Sequence, residues 1–199
     1  MTIEKHSVWA TETVWPVGGP RFDTDRELAA AAAAALERGE QLEAVLAAGD
    51  LRRTLGGPRP ENAAPYRYPC DLGFVRLDDG PELPFAAHVV CHRRWWQGEA
   101  AVVMNAAYVG ERYLGPRSHP NDDLLDVTFG ALPLQQRLMA SKRSRQGTHL
   151  PHPALTVVRR PVWAHDFARP TAVWIDGRRT GRCLHLEVRL VTDAFVVIA

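Results

Sequence analysis

Ile175-Asp176-Gly177, followed by Leu184-His185-Leu186-Glu187-Val188-Arg189-Leu190, is the stretch on which the fold turns. An Asp-Gly pair signals a hairpin, because aspartate and glycine both tolerate the positive φ angles of a tight turn. In the run after it, Leu184, Leu186, Val188 and Leu190 alternate with His185, Glu187 and Arg189, the period of a strand with one buried face. The same texture recurs upstream and downstream. Strands are expected at Asp71–Leu77, before the Asp78-Asp79-Gly80 turn, and at Phe85–Cys91, Ala100–Val109, Leu124–Phe129, Leu155–Val158, Ala172–Ile175 and Phe195–Ile198. One helix interrupts them, opened by Pro133 and carrying Leu134, Leu138 and Met139. Short strands with a single helix between them predict an antiparallel β-sandwich.

The first sixty residues read differently. Thr24-Asp25-Arg26-Glu27 is a capping box that starts an alanine-rich helix running to about Arg38, with Gly39 as its stop. Leu42-Glu43-Ala44-Val45-Leu46 is a short strand, and Leu51–Leu55 a helical turn closed by Gly56-Gly57-Pro58. The proline-rich stretch Pro58–Pro69 reads as a boundary. The expectation is an α+β, mainly β chain: a truncated α/β lobe over 1–60 and a sandwich lobe over 61–199.

Composition narrows the class. The 199 residues are 46% hydrophobic, enough for a sizeable core, and the net charge is +1, which argues against a nucleic-acid partner. Residues 1–99 carry 11 basic and 15 acidic side chains, residues 100–199 carry 13 and 8, a mild asymmetry. Cys70, Cys91 and Cys183 are odd in number and lack a Cys-x-x-Cys spacing, so buried thiols in a reducing compartment are expected. Met1-Thr2-Ile3-Glu4-Lys5-His6 has no apolar run of the signal-peptide kind, which predicts a cytoplasmic protein whose membrane contact is peripheral at most.

Five segments carry a resemblance. They are Tyr68-Pro69-Cys70-Asp71-Leu72-Gly73, Met104-Asn105-Ala106, Pro120-Asn121-Asp122-Asp123-Leu124-Leu125-Asp126-Val127, Gly147-Thr148-His149-Leu150-Pro151-His152-Pro153, and Ile175-Asp176-Gly177. In this order and spacing they resemble the lipid-binding C-terminal lobe of bacterial diacylglycerol and sphingoid-type lipid kinases. Upstream, Gly49-Asp50-Leu51-Arg52-Arg53-Thr54-Leu55-Gly56 is similar to the segment with which that family presents helix N–H groups near a nucleotide. Gly18-Gly19 stands near the place of its glycine-rich phosphate loop, but continues as Pro20-Arg21-Phe22, which lacks the acid and the small residues. Gly18, Gly19, Gly49 and Asp50 are therefore the expected nucleotide-binding remnant.

The resemblance also implies a magnesium site made of the Asp122 carboxylate and the carbonyls of His119 and Leu124. Asp123 replaces the family's glycine there, and the plain alternative is a solvated turn whose aspartates hold backbone N–H groups. At the position of the family's general base, a glutamate, this chain has Arg178, which stays charged and accepts no proton. No catalytic residue is expected. The implied protein is a pseudokinase: a degenerate lipid-kinase homologue that binds lipid, a membrane surface or a phosphorylated ligand, with magnesium as a candidate cofactor and ATP not expected. Two alternatives stand beside it. One is an active ATP-dependent lipid kinase with an unusual nucleotide site, with Asp176 or Glu187 recruited as base. The other is an interaction module working with a partner protein or a second copy of itself.

The remaining candidates read as structural. His88 and His92 share a strand face without a third ligand, and His149 and His152 carry no catalytic role. Trp95-Trp96 reads as core, with a membrane interface as the alternative. Arg137, Lys142, Arg143 and Arg145 complement a helix C-terminus, or attract anionic lipid head groups.

Overall fold

The computed structural model describes residues 9–58, 60, 63–94, 97–147 and 152–199. Met1–His6, Trp95, Trp96 and His149 lie outside the described residues.

Two short strands, β1 (Thr11–Glu12) and β2 (Arg21–Phe22), precede the helix α1 (Asp25–Glu37). Its cap forms as the sequence predicts: Thr24 Oγ1 accepts the N–H of Glu27 at 3.2 Å and donates to Glu27 Oε2 at 3.0 Å. Next come β3 (Leu42–Leu46) and the short helix α2 (Asp50–Thr54). The rest is mainly β: β4 (Tyr66–Leu77), β5 (Glu82–Phe85), β6 (His88–Arg94), β7 (Gln97–Met104), β8 (Tyr108–Val109), β9 (Arg112–Tyr113), β10 (Leu125–Ala131), β11 (Leu155–Arg160), β12 (Val162–Ile175) and β13 (Arg178–Ile198). Among the described residues of this part, the one long helix is α3 (Leu134–Arg143), followed by a 3₁₀ turn over Ser144–Gln146.

Eleven strands form one sheet, with the main path β1-β4-β13-β12-β6-β7-β10-β11. Its pairs are antiparallel except at the N-terminal layer, where β2 pairs β3 and β3 pairs β13 in parallel. Val75 of β4, Val103 of β7, Val127 of β10 and Val188 of β13 share one apolar core. Strands far apart along the path can meet only if the sheet curls over itself, which gives the expected mainly β architecture. A second core packs Leu28 and Ala32 of α1 and Leu46 of β3 against Cys70, Leu72 and Phe195. The α/β layer is thus completed by β4 and the end of β13. All three cysteines are free and buried.

Strand β4 begins earlier than the sequence suggests and contains Pro69. Tyr66 and Ala199 exchange both backbone hydrogen bonds, so along the register Tyr68–Val197 is the next bonded pair. Pro69 then falls opposite Val196 in a non-bonded pair, where its missing N–H removes nothing from the ladder with β13. Gly73 of β4 is required by packing: a Cβ there would lie 2.1 Å from the Phe85 ring. Asp176 and Gly177 turn β12 into β13 with φ of 44° and 77°, as the Asp-Gly pair predicts.

Candidate functional site

The site forms where the parallel strands end. After β3 the chain turns at Gly49, whose φ is +116°. A Cβ there would lie 2.3 Å from Asp25 Oδ1, because the first residue of α1 reaches over the start of α2. Asp25 Oδ2 accepts the N–H of Asp50 at 2.6 Å, and Oδ1 accepts that of Leu51 at 3.3 Å. Helix N-termini leave such donors unsatisfied. In this chain they are satisfied by its own carboxylate.

Asp50 points the other way. Its carboxylate accepts the N–H of Gly110 at 2.9 and 3.0 Å, and Thr54 Oγ1 accepts that of Ala107 at 2.9 Å. These bonds tie α2 to the segment after β7. Asp176 Oδ2 accepts the N–H of Ala86, and Oδ1 those of Ala87 and His88, at 2.9 to 3.0 Å. This capture ends β5 before β6 begins and explains why the single strand expected from Phe85 onward is two. The buried His88 brings Nδ1 to 3.5 Å from Asp50 Oδ2. Burial, then the charge of Asp176, push the Asp25 carboxyl up to about 7. Asp176 is also raised, by burial against the opposing pull of His88.

Gly49 and Asp50 are therefore brought together with Asp25, which sequence reasoning took only as the first residue of a capped helix. Gly18 and Gly19 are not: they are exposed and precede β2, while the turn between β2 and α1 is Asp23-Thr24. Arg178 is exposed at the start of β13, directly after the Asp176-Gly177 turn.

The acidic turn lies elsewhere. Asp71, wholly buried, accepts the N–H of Asp123 at 3.0 Å and of Asp193 at 2.9 Å, and burial pushes its carboxyl up to about 6. Asp123 takes a φ of 62°, which aspartate tolerates. Asp122 Oδ1 accepts the N–H of Leu124 at 3.2 Å, and its Oδ2 is paired with Nη2 of Arg159. The same guanidinium places Nε 3.0 Å from Asp126 Oδ1. Burial pushes Asp122 up to about 6 even though Arg159 pulls the other way. His119 packs its ring 4.4 Å from that of Trp9, and its Nδ1 accepts the N–H of Asn121 at 3.2 Å. The carboxylate that the resemblance assigns to magnesium is thus held by Arg159, and no group of three or more metal-ligating side chains occurs among the described residues.

The other sequence candidates have structural surroundings. His92 stacks on Trp174 at 4.2 Å, and His152 Nδ1 accepts the N–H of Ala154. Arg137 donates Nε to the Leu132 carbonyl at 2.7 Å and Nη2 to that of Gly98, which fixes α3 to the start of β7. Arg145 makes a loose, exposed pair with Glu111 at 3.8 Å.

Among the cavities formed by the described residues, two bear on this frame. One, of about 320 Å³, lies in the sandwich against Met104, Leu114, Arg117, Asp126 and Val157. The other, of about 310 Å³, lies beside α1 and the β12–β13 hairpin. No helix among the described residues is long and apolar enough to cross a membrane.

No protein-family model and no curated protein matches the chain. Solved structures do. A diacylglycerol kinase from Bacillus anthracis str. Sterne superposes with a TM-score of 0.54 at 12% identity, covering 79% of this chain and 66% of that one. Two proteins of the same organism, provisionally described as diacylglycerol kinases, superpose at 0.60 and 0.55 with 12% and 11% identity. They are covered over 74% and 69% of their length, by 87% and 79% of this chain. The chain spans just under two thirds of the first of these and about three quarters of the second. It has the fold of diacylglycerol-kinase-like proteins.

Proposed function

We propose that this protein uses the diacylglycerol-kinase fold to bind a lipid-like ligand without transferring phosphate. The observation that carries the reading is the Asp25 carboxylate lying on the N–H groups of Asp50 and Leu51. Phosphoryl transfer depends on donors and cations held ready for phosphate oxygens. An acid group already on those donors leaves neither of them for phosphate, and Arg178 supplies no base. ATP and magnesium are not part of this function. The cavity of about 320 Å³ lined by Met104, Leu114 and Val157 supports an apolar ligand, at the lower end of the usual size range for ligand sites.

The test is transfer from labelled ATP to diacylglycerol in mixed micelles, paired with a fluorescent fatty-acid titration. No transfer is expected, together with affinity that rises with chain length at about 0.8 kcal/mol per buried CH₂. Transfer that Asp50→Ala abolishes would overturn the reading.

A second reading, an interaction module, is favoured by α3. Leu134, Leu138 and Met139 are exposed on a helix with no buried residue, an apolar face of the kind that meets a partner or a second copy. Concentration-dependent sedimentation that Leu138→Glu abolishes would support this reading; a monomer at every concentration would reject a second copy as the partner.

A further inference from the structure

The cavity beside α1 is walled by Ala30, Leu83, Pro84 and Ile175 and rimmed by Arg26, Arg178 and Arg179. Arg26 comes from the first turn of α1, the other two from the start of β13, so two distant segments bring three guanidinium groups to one opening. Among the described residues, no acidic one lines it. Several arginines elsewhere are neutralised at close range: Arg189 by Glu82, Arg67 by Glu43, Arg159 by Asp122 and Asp126. Glu82, the acid next along the chain to the cavity wall, is committed to Arg189 and Arg76.

We infer that this cavity is a binding site for a phosphate monoester carried on an apolar body, with Arg26, Arg178 and Arg179 on the phosphate and Leu83, Pro84 and Ile175 against the first methylenes. The inference goes beyond the proposed function: it assigns a ligand class to a cavity separate from the one lined by Met104, Leu114 and Val157.

Guanidinium groups match phosphate oxygens in pairs, which is why arginine recurs in phosphate recognition. Three of them around one opening favour a doubly charged monoester over a singly charged carboxylate or diester, since each added charge strengthens the pairing. The wall supplies what phosphate alone lacks. Ile175 is buried and Leu83 and Pro84 half-buried, so a chain leaving the phosphate meets apolar surface. A volume of about 310 Å³ suits a head group with a short length of chain, and leaves the rest of a long chain outside. Arg178 thereby acquires a role that a base in its place could not fill: it holds the charged form of a ligand instead of deprotonating a neutral one.

Calorimetric titrations of the full chain with three probes separate the sources: inorganic phosphate, a short-chain lysophosphatidate below its micelle concentration, and the matching monoacylglycerol. The lysophosphatidate should bind about tenfold or more tightly than either of the others, with an affinity that falls as salt rises. Arg178→Gln with Arg179→Gln should weaken it about tenfold, and Arg26→Gln should do so independently, while monoacylglycerol binding stays unchanged. All three side chains are exposed, so the variants should keep the melting temperature of the parent.

Equal binding of lysophosphatidate and monoacylglycerol would overturn the arginine contribution. Equal binding of lysophosphatidate and inorganic phosphate would overturn the apolar wall. Affinity undiminished in the double variant would overturn the site. Phosphate transfer from ATP would defeat the non-transferring reading and leave these binding results standing, so the two failures are distinguishable.

Discussion

Asp25 Oδ2 lies 2.6 Å from the backbone nitrogen of Asp50, closing the start of one helix with the first residue of another. Burial and the nearby Asp176 push the Asp25 carboxyl up to about 7, so the folded protein keeps a proton that the unfolded chain releases near pH 4. Asp71 and Asp122, each raised to about 6, act in the same direction. Their contribution is complete below the unfolded value and is lost as pH rises through the folded ones. Urea unfolding should therefore give higher stability at pH 5 than at pH 7.5, and Asp25→Asn should flatten the slope. A parent protein whose stability climbs over that window would contradict this account.

Gly49→Ala should destabilise by about 2 kcal/mol or more. The residue holds a φ of +116°, and the added Cβ would meet Asp25 Oδ1 at 2.3 Å. The same substitution at Gly39, at φ +71° with open space around it, serves as the control for backbone strain alone, about 1 kcal/mol. Chemical denaturation of the two variants separates strain from collision. Equal losses would mean that Asp25 moves aside freely.

Asn105→Ala should cost about 2 kcal/mol or more. Its wholly buried Nδ2 donates to the carbonyls of Asp71 and Ala86 at 2.9 Å, joining β4 to the end of β5. The substitution leaves two buried acceptors without this donor. A loss below about 0.5 kcal/mol in a thermal melt would show that water enters and replaces it.

Magnesium and chelator should leave the melting temperature of the parent protein unchanged, since Arg159 holds Asp122 and Asp126 together. Arg159→Ala should destabilise by about 3 kcal/mol, because removing one partner strands two largely buried carboxylates. A magnesium-dependent rise in the parent, lost in Asp122→Asn, would restore the metal site that the sequence resemblance implies.

Much of the fold was legible because it rests on local pattern. The capping box at Thr24, the strand Leu42–Leu46 and the Asp176-Gly177 hairpin all stand where short-range rules put them. The alternation in β13 held for Leu186 and Val188, which are buried, but not for Leu184, which is half exposed. The register explains it: His185 pairs with Asp166 and Cys183 with Thr171, so a bulge of four β12 residues faces Leu184. The candidate site was less legible. Asp25 acts on N–H groups 25 and 26 positions away, Arg159 on Asp122 at a separation of 37, and Arg26 meets Arg178 only through the packing of α1 on the sheet. A charge leaves no periodic mark when its partner is brought to it by tertiary structure. The resemblance set Gly18-Gly19 near a phosphate loop, yet the chain places them before β2 instead of at its end.

The pairing of Phe195–Ile198 with Leu42–Val45 on one side and Arg67–Cys70 on the other has a bearing on biosynthesis. Strand β3 gains its sheet neighbour β13 only after some 150 further residues have left the ribosome. Until then α1 and β3 have part of their apolar surface uncovered, with Leu46 and the buried alanines of the helix awaiting Phe195 and Val197. Contacts so distant along the chain form slowly. The nascent amino-terminal layer is thus the segment most in need of a chaperone, and a stalled translation product would aggregate through it.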